Sequence, residues 1–190
     1  MKNAKEFEKK IACFASVFVA ALLMLACVSC SKQAAVVHDP VLAATICGSW
    51  EMRNKADTEL YSNPGTNDES LQGTAEILYV TELSFSENRF FKMRISSELL
   101  SLSLIKNSVF DSDTVRQQAE SLVEISGTYT CGKEYLILQN QNIKRDNSDD
   151  RTEDSIDNEK TTVKWSLKDG VLELVDLNTK NTVSYQRKTL

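Results

Sequence analysis

From Gly48 to Lys188 the chain consists of short runs in which apolar and polar residues alternate one by one, each run ending on turn-forming residues. A period of two puts every second side chain on one face of an extended strand, so each run buries one face and wets the other, the pattern of antiparallel sheet. Trp50 and Met52 share a face in the first run, and Ile77, Tyr79, Leu83 and Phe85 share one in the second, over about Ala75 to Ser86. The polar turn Ser86-Glu87-Asn88-Arg89 leads into Phe91, Met93 and Ile95. Val123, Ile125, Tyr129 and Cys131 follow further on, and Gly132-Lys133 turns the chain into Tyr135–Gln139, which carries Leu136 and Leu138. The last runs hold Val163, Trp165 and Leu167, then Leu172 and Leu174 after Lys168-Asp169-Gly170, then Val183 and Tyr185 after Asn178-Thr179-Lys180-Asn181. About eight runs result, and eight antiparallel strands close into an up-and-down barrel whose interior just fits side chains or one small ligand. The expected fold is therefore all-β, an antiparallel barrel of about eight strands over residues 47–190.

Two stretches break the alternation. In Ser97–Glu120, Leu99, Leu100, Leu102 and Leu104 suit either a continuing strand or the start of a helix, and the stretch reads as an insertion. Within it Asp111, Ser112 or Asp113 caps a short helix with Val115, Ala119 and Leu122 on one face. Lys144–Lys160 is rich in Asp, Asn, Ser, Glu, Lys and Arg and reads as a solvated hairpin loop. With 42% hydrophobic residues and a net charge of -5 the chain has material for a core and is not of the disordered class.

The first 26 residues follow another grammar. Lys2, Lys5, Lys9 and Lys10 precede an uncharged apolar run from Ile11 to Ala26, about 16 residues long. A membrane-spanning helix needs roughly 20, so the run reads as an export signal. Its end, Leu23-Met24-Leu25-Ala26-Cys27, resembles the lipobox of bacterial lipoproteins, where the cysteine after a small residue becomes the acylated first residue of the mature chain. Cys30, after Ser29, is the alternative. Cys27 has the better apolar residues upstream, whereas cleavage before Cys30 leaves an even pair, Cys47 and Cys131, suited to a disulfide in an oxidising compartment. Residues 27–46 then read as a tether, in which Val41–Ile46 suits a short helix plugging or flanking one barrel end.

Gly48-Ser49-Trp50 at the start of the first strand resembles the Gly-x-Trp signature of lipocalins. The grammar of Thr81-Glu82-Leu83-Ser84-Phe85, Arg89-Phe90-Phe91, Ser126-Gly127-Thr128-Tyr129 and Tyr185-Gln186-Arg187-Lys188 is similar to that of bacterial lipocalin-like lipoproteins. The resemblance covers about Cys47 to Lys188. It implies that Gly48 and Trp50 close one barrel end, with Arg187 of the last strand packed on the indole, as structural residues. The chain departs from typical lipocalins in lacking an evident C-terminal helix and in carrying the long segment Ser97–Glu120.

Little in the sequence points to catalysis. The one histidine, His38, sits in the tether beside Asp39 and Pro40 and reads as a solvated side chain, with no nucleophile or metal-ligand spacing around it. No catalytic residue, metal ligand or cofactor is assigned, and the chain is not expected to be an enzyme. The acidic residues Asp146, Asp149, Asp150, Glu153, Asp154, Asp157 and Glu159 lack the turn glycine and spacing of a calcium loop. Lys and Arg do not gather into a basic face, which disfavours nucleic acid. The expected inner face, Tyr79, Phe85, Phe91, Met93, Tyr129, Leu136, Leu138, Trp165, Leu172 and Tyr185, lines a pocket for a small apolar ligand or fills a solid core. The first reading makes the chain a binding lipoprotein of the inner or outer membrane, its domain in the periplasm or at the cell surface. The second makes it an envelope scaffold that meets a partner protein through loops such as Asn140–Lys160.

The anchor is open to a direct test. Cys27→Ser is expected to release the protein from the membrane fraction and abolish acylation, read by mass spectrometry of the mature N-terminus. Acyl chains on Cys30 move the anchor there, and acyl chains on neither cysteine defeat the lipoprotein reading.

Overall fold

The structure, a computed structural model, describes residues 36–62, 69–147, 150–154 and 160–189; the export signal, Cys27 and Cys30 lie outside them. A short helix α1 (Pro40–Ile46) precedes three long strands, β1 (Gly48–Ser62), β2 (Ser70–Phe85) and β3 (Phe90–Leu104). Helix α2 (Ser112–Ala119) leads into β4 (Ser121–Cys131), β5 (Tyr135–Asn147) and β6 (Asp150–Asp154), and β7 (Lys160–Lys168), β8 (Val171–Asp176) and β9 (Thr182–Arg187) complete the described chain. Neighbouring strands pair antiparallel in the order β4-β3-β2-β1-β9-β8-β7-β5, and β5 returns to β4, so eight strands close a barrel. The ninth, β6, pairs only with the far end of β5 and lengthens that hairpin.

The turns form where the residues favour them. Lys168 pairs with Val171, and the two residues between, Asp169 at φ 51° and Gly170 at φ 77°, make the left-handed hairpin turn that matches strand twist. At the β8–β9 turn the Asp176 carboxylate accepts the N–H groups of Asn178 (2.8 Å) and Thr179 (2.6 Å). Gly127 is needed for close approach, since a Cβ there would stand 1.9 Å from the Gln139 carbonyl oxygen and 3.0 Å from the Phe91 ring.

Three bulges adjust the register. Leu60 pairs with Gly73 and Tyr61 with Leu71, leaving Gln72 unopposed, and its buried side chain donates to Ser70 and Ser62 and accepts the Val109 N–H (2.9 Å). Leu100 is unopposed between Leu99 and Ser101, so Leu99 and Leu102 fall on one face. Gln141 plays the same part in β5. The segment Ser97–Leu104, read from sequence as part of an insertion, is the second half of β3, because pairing with β2 as far as Gly73 supplies its hydrogen bonds. The helix follows it, capped by Asp111, whose carboxylate accepts the Thr114 N–H (3.1 Å). Leu122, expected on that helix, lies on β4. Part of the expected loop Lys144–Lys160 is likewise strand, in β5 and β6.

Apolar burial falls into two cores. The main one fills the barrel around Trp50, Leu83, Leu136, Val163, Leu172 and Tyr185. The smaller one, Leu60, Ala75, Leu99 and Val115, lies where α2 covers the outer reaches of β1, β2 and β3. One barrel end is sealed. Asp39 caps α1 by accepting the Val41 N–H (2.9 Å) and Leu42 N–H (3.2 Å), and the helix buries Ala43 and Ile46 against the main core. Trp50 is fully buried beneath it and donates its indole N–H to the Ile46 carbonyl (2.8 Å).

The seam between first and last strands runs through the same spot. β1 and β9 pair only at Trp50–Arg187 and Glu51–Gln186, and the Arg187 guanidinium lies over the indole of Trp50 at 4.6 Å while donating to the Thr45 carbonyl (2.9 Å). Trp50→Ala is expected to cost about 3–5 kcal/mol in denaturant melts, the range for an aromatic lost from a packed core. Arg187→Met, which keeps apolar contact but loses the charge, is expected to cost about 1–2 kcal/mol.

Candidate functional site

Eight of the ten side chains expected to line the interior, Phe85, Phe91, Met93, Tyr129, Leu136, Leu138, Leu172 and Tyr185, meet in the main core. Trp165 packs on that core only partly buried, at the sealed end, where its indole N–H donates to the Gly132 carbonyl (2.8 Å). Tyr79 lies apart from the core and half-buried, for a reason that the strand register supplies below.

The sealed end gathers three groups that lie far apart in sequence. Tyr129 donates its hydroxyl to the Ser86 carbonyl (2.9 Å), stands 3.6 Å from the Cys47 sulfur and meets the Phe85 ring edge-on. Cys131 is fully buried on the inner face of β4. Residues 36–39 run beside it, so that Asp39 donates its N–H to the Cys131 carbonyl (2.7 Å) and His38 Nδ1 accepts the Cys131 N–H (3.3 Å). His38 is therefore not the solvated side chain expected from its place in the tether; it is half-buried and closes off a strand-end N–H. Cys47 and Cys131, weighed above as a disulfide, are free thiols. The Tyr129 phenol takes the contact to Cys47, and Cys131 points its sulfur toward the Gly132 carbonyl. Burial first, then the charges of Asp39 and Cys47, push the Cys131 thiol up to about 11. Burial also raises the phenols of Tyr129 and Tyr185.

Away from the sealed end the inner face changes character. Register sets Asn54 opposite Tyr79, Tyr79 opposite Ser97, and Ser97 opposite Ser121, one row across four strands. None of the four is buried, and Asn54 is exposed; Thr81, Ile95 and Val123 are buried in the row on the barrel side and Leu99 in the row on the other, while Met52 in the first row and Ala56 and Ile77 in the second are half-buried. Solvent thus reaches the inner face along this row, between the two cores. Ser97 ties α2 to it by donating to the Ala119 carbonyl (2.6 Å) and sharing a hydrogen bond with Ser121 (2.8 Å). On the barrel side the next row is Met52, Thr81, Ile95 and Val123. Thr81 is 1% exposed and its Oγ1 has no hydrogen-bond partner, and Gln118 Oε1 on α2 is likewise buried and unpaired. Sequence reading found Tyr79 but missed Asn54, Thr81, Ser97 and Ser121, since polar residues at inward positions resemble ordinary strand alternation until the partners are known.

Chemically the row offers neutral hydrogen-bonding groups beside an apolar wall, an arrangement for binding. Among the described residues no group of three or more His, Cys, Asp or Glu is arranged to hold a metal ion, and no helix is long and apolar enough to cross a membrane. The thiols give a check on the sealed end. Alkylation of the protein denatured without reductant, followed by peptide mapping, is expected to label both Cys47 and Cys131. A raised thiol pKa means the folded state holds its proton longer than the unfolded state, so its contribution is full below about pH 9 and declines as pH rises toward about 11. Stability is therefore expected to fall by about 2 kcal/mol over that window, less steeply in Cys131→Ala, as read by denaturant melts. Compared with known proteins, the chain matches no protein family, no curated protein and no solved structure.

Proposed function

We propose that this chain is an exported, lipid-anchored envelope lipoprotein whose lipocalin-like barrel takes up a small apolar molecule through the open row between its two cores. The observation that carries the reading is the asymmetry of the inner face: sealed by α1, Trp50 and Trp165 at one end, and reached by solvent at Asn54, Tyr79, Ser97 and Ser121. A solid scaffold has no need to leave inward positions wet between two dry cores, where their apolar neighbours lose burial.

The anchor fits the same orientation. Val36 packs beside Gly132 at the sealed end, and eight residues lie between it and Cys27, nine steps that at most about 3.5 Å each keep that end within roughly 30 Å of an acylated cysteine. Val37, Val41 and Phe90, 80%, 74% and 51% exposed, lie on the segments that make this end and give it apolar side chains to set against a bilayer. The open row then lies away from the anchor. No nucleophile, base or oxyanion donor set comes together along it, so binding without chemistry is the role proposed.

Native mass spectrometry of the acylated protein from its own host, freed of detergent in the gas phase, tests the reading. A bound small molecule, or a one-to-one adduct after incubation with dodecanol, is expected. Bare protein in both measurements would defeat the carrier reading and leave an interaction scaffold.

A further inference from the structure

Beyond Glu51 the first strand has one neighbour among the described residues. β9 meets β1 only at Trp50–Arg187 and Glu51–Gln186, whereas β2 follows β1 without a break in register from Gly48 to Leu60. From Arg53 to Glu59 the other edge of β1 is therefore unpaired. The Ser49 carbonyl accepts the Lys188 N–H on that side, and strand geometry turns the backbone groups of every second residue the same way. The N–H and C=O of Arg53, Lys55, Asp57 and Glu59 thus point off the edge. The gap is wet: these residues are exposed, and so is Asn54 although it lies on the inner face. A free edge of this length is a template for another strand.

Unpaired edges are commonly guarded by charge, and all of these residues are charged. Their order decides what the guard admits. Two cations, Arg53 and Lys55, are followed by two anions, Asp57 and Glu59, at alternate positions on the outer face. Such a series is complementary to itself when reversed. In an antiparallel pair of β1 edges with a two-fold axis at Ala56, Arg53 stands opposite Glu59 of the second copy and Lys55 opposite Asp57, and both pairs recur across the axis. Directly opposite residues bring their Cβ atoms to about 5 Å, within reach of an ion pair.

The register is selective. Sliding one copy by two residues sets Lys55 against Lys55 in one direction and Asp57 against Asp57 in the other, and like charges directly opposite destabilise a ladder. On the inner face the same axis sets Ala56 against Ala56 and Asn54 against Thr58, which places no bulky side chain at the joint. The match also stops where the free edge stops, since Gln186 occupies the place beside Glu51 and a bulge follows Leu60. Within one copy Arg53 pairs with Glu51 (2.6 Å) and Lys55 with Glu76 (3.1 Å), but both cations are exposed and such pairs hold a side chain only weakly.

We infer that the chain forms a two-fold symmetric dimer in which the edges Arg53–Glu59 of two copies join antiparallel into one continuous sheet. The pairing does not depend on whether the barrel carries a ligand.

The test uses the acylated protein, with native mass spectrometry to count copies and amide hydrogen exchange to read the edge. The parent is expected to be a dimer in which the N–H groups of Arg53, Lys55, Asp57 and Glu59 are protected as well as those bonded to β2. Lys55→Glu and Asp57→Lys each set like charges opposite one another at both symmetric positions, and each is expected to weaken the dimer about tenfold to a hundredfold. Mixing the two variants is expected to restore it as a heterodimer, because every position then meets the opposite sign again. A monomeric parent would overturn the inference, and protection of those amides in a monomer would give the edge to a segment of the same chain. Dimers undiminished in both variants would place the interface elsewhere, and variants that stay monomeric when mixed would overturn the charge pairing.

Discussion

The stack of Arg187 on Trp50 joins the two ends of the sheet, and the rest of the barrel depends on it. β1 follows β2 along nearly its whole length, yet meets β9 only at Trp50–Arg187 and Glu51–Gln186. So short a ladder leaves the seam to side chains. The guanidinium covers the indole face and reaches the last turn of α1 through the Thr45 carbonyl, and the indole N–H bonds the Ile46 carbonyl. Closing the sheet and seating the helix are thus one event. Outside the seam the Lys188 N–H continues the ladder to the Ser49 carbonyl, and its ammonium pairs with Glu82 and Glu51. Those exposed pairs contribute little individually, about 0–1 kcal/mol each, but they lie across the same joint.

Sealing one end has a consequence for the other. Barrel strands of ordinary length would end near Asn54, Tyr79 and Ser97; here β1, β2 and β3 run on, and α2 returns to cover their tips with a second core. Between the two cores the inward row is polar and wet. The helix α2 is therefore what shelters this row, tied to it by the Ser97 hydroxyl on the Ala119 carbonyl. That helix belongs to the stretch Ser97–Glu120 that breaks the alternation in the sequence.

The residues at the sealed end show how far sequence distance misleads. His38 and Asp39, seemingly parts of a tether, complete the hydrogen bonding of Cys131 at the end of β4. Cys47 and Cys131 are of the right number for a disulfide, but the Tyr129 phenol takes the contact to Cys47. An apolar-polar pattern carries no information on such meetings, since each depends on which strand edge a distant segment reaches.

What the sequence by itself determined is everything that depends on near neighbours. Alternation assigned Phe85, Phe91, Met93, Leu136, Leu138, Leu172 and Tyr185 to the inner face, and the Asp169–Gly170 pair placed a two-residue turn, because side-chain direction and turn geometry are set within a few residues. It also left Leu99–Leu104 between strand and helix, a choice that local propensity does not make. Tertiary structure decided that segment by supplying β2 as a hydrogen-bonding partner, and shifted its phase with the bulge at Leu100. The same pairing aligned Asn54, Tyr79, Ser97 and Ser121, residues with nothing in common along the chain, into one row. Register between strands is a long-range quantity, fixed by which ladders and bulges satisfy the backbone while both cores stay dry, and so the open row exists only in the folded protein.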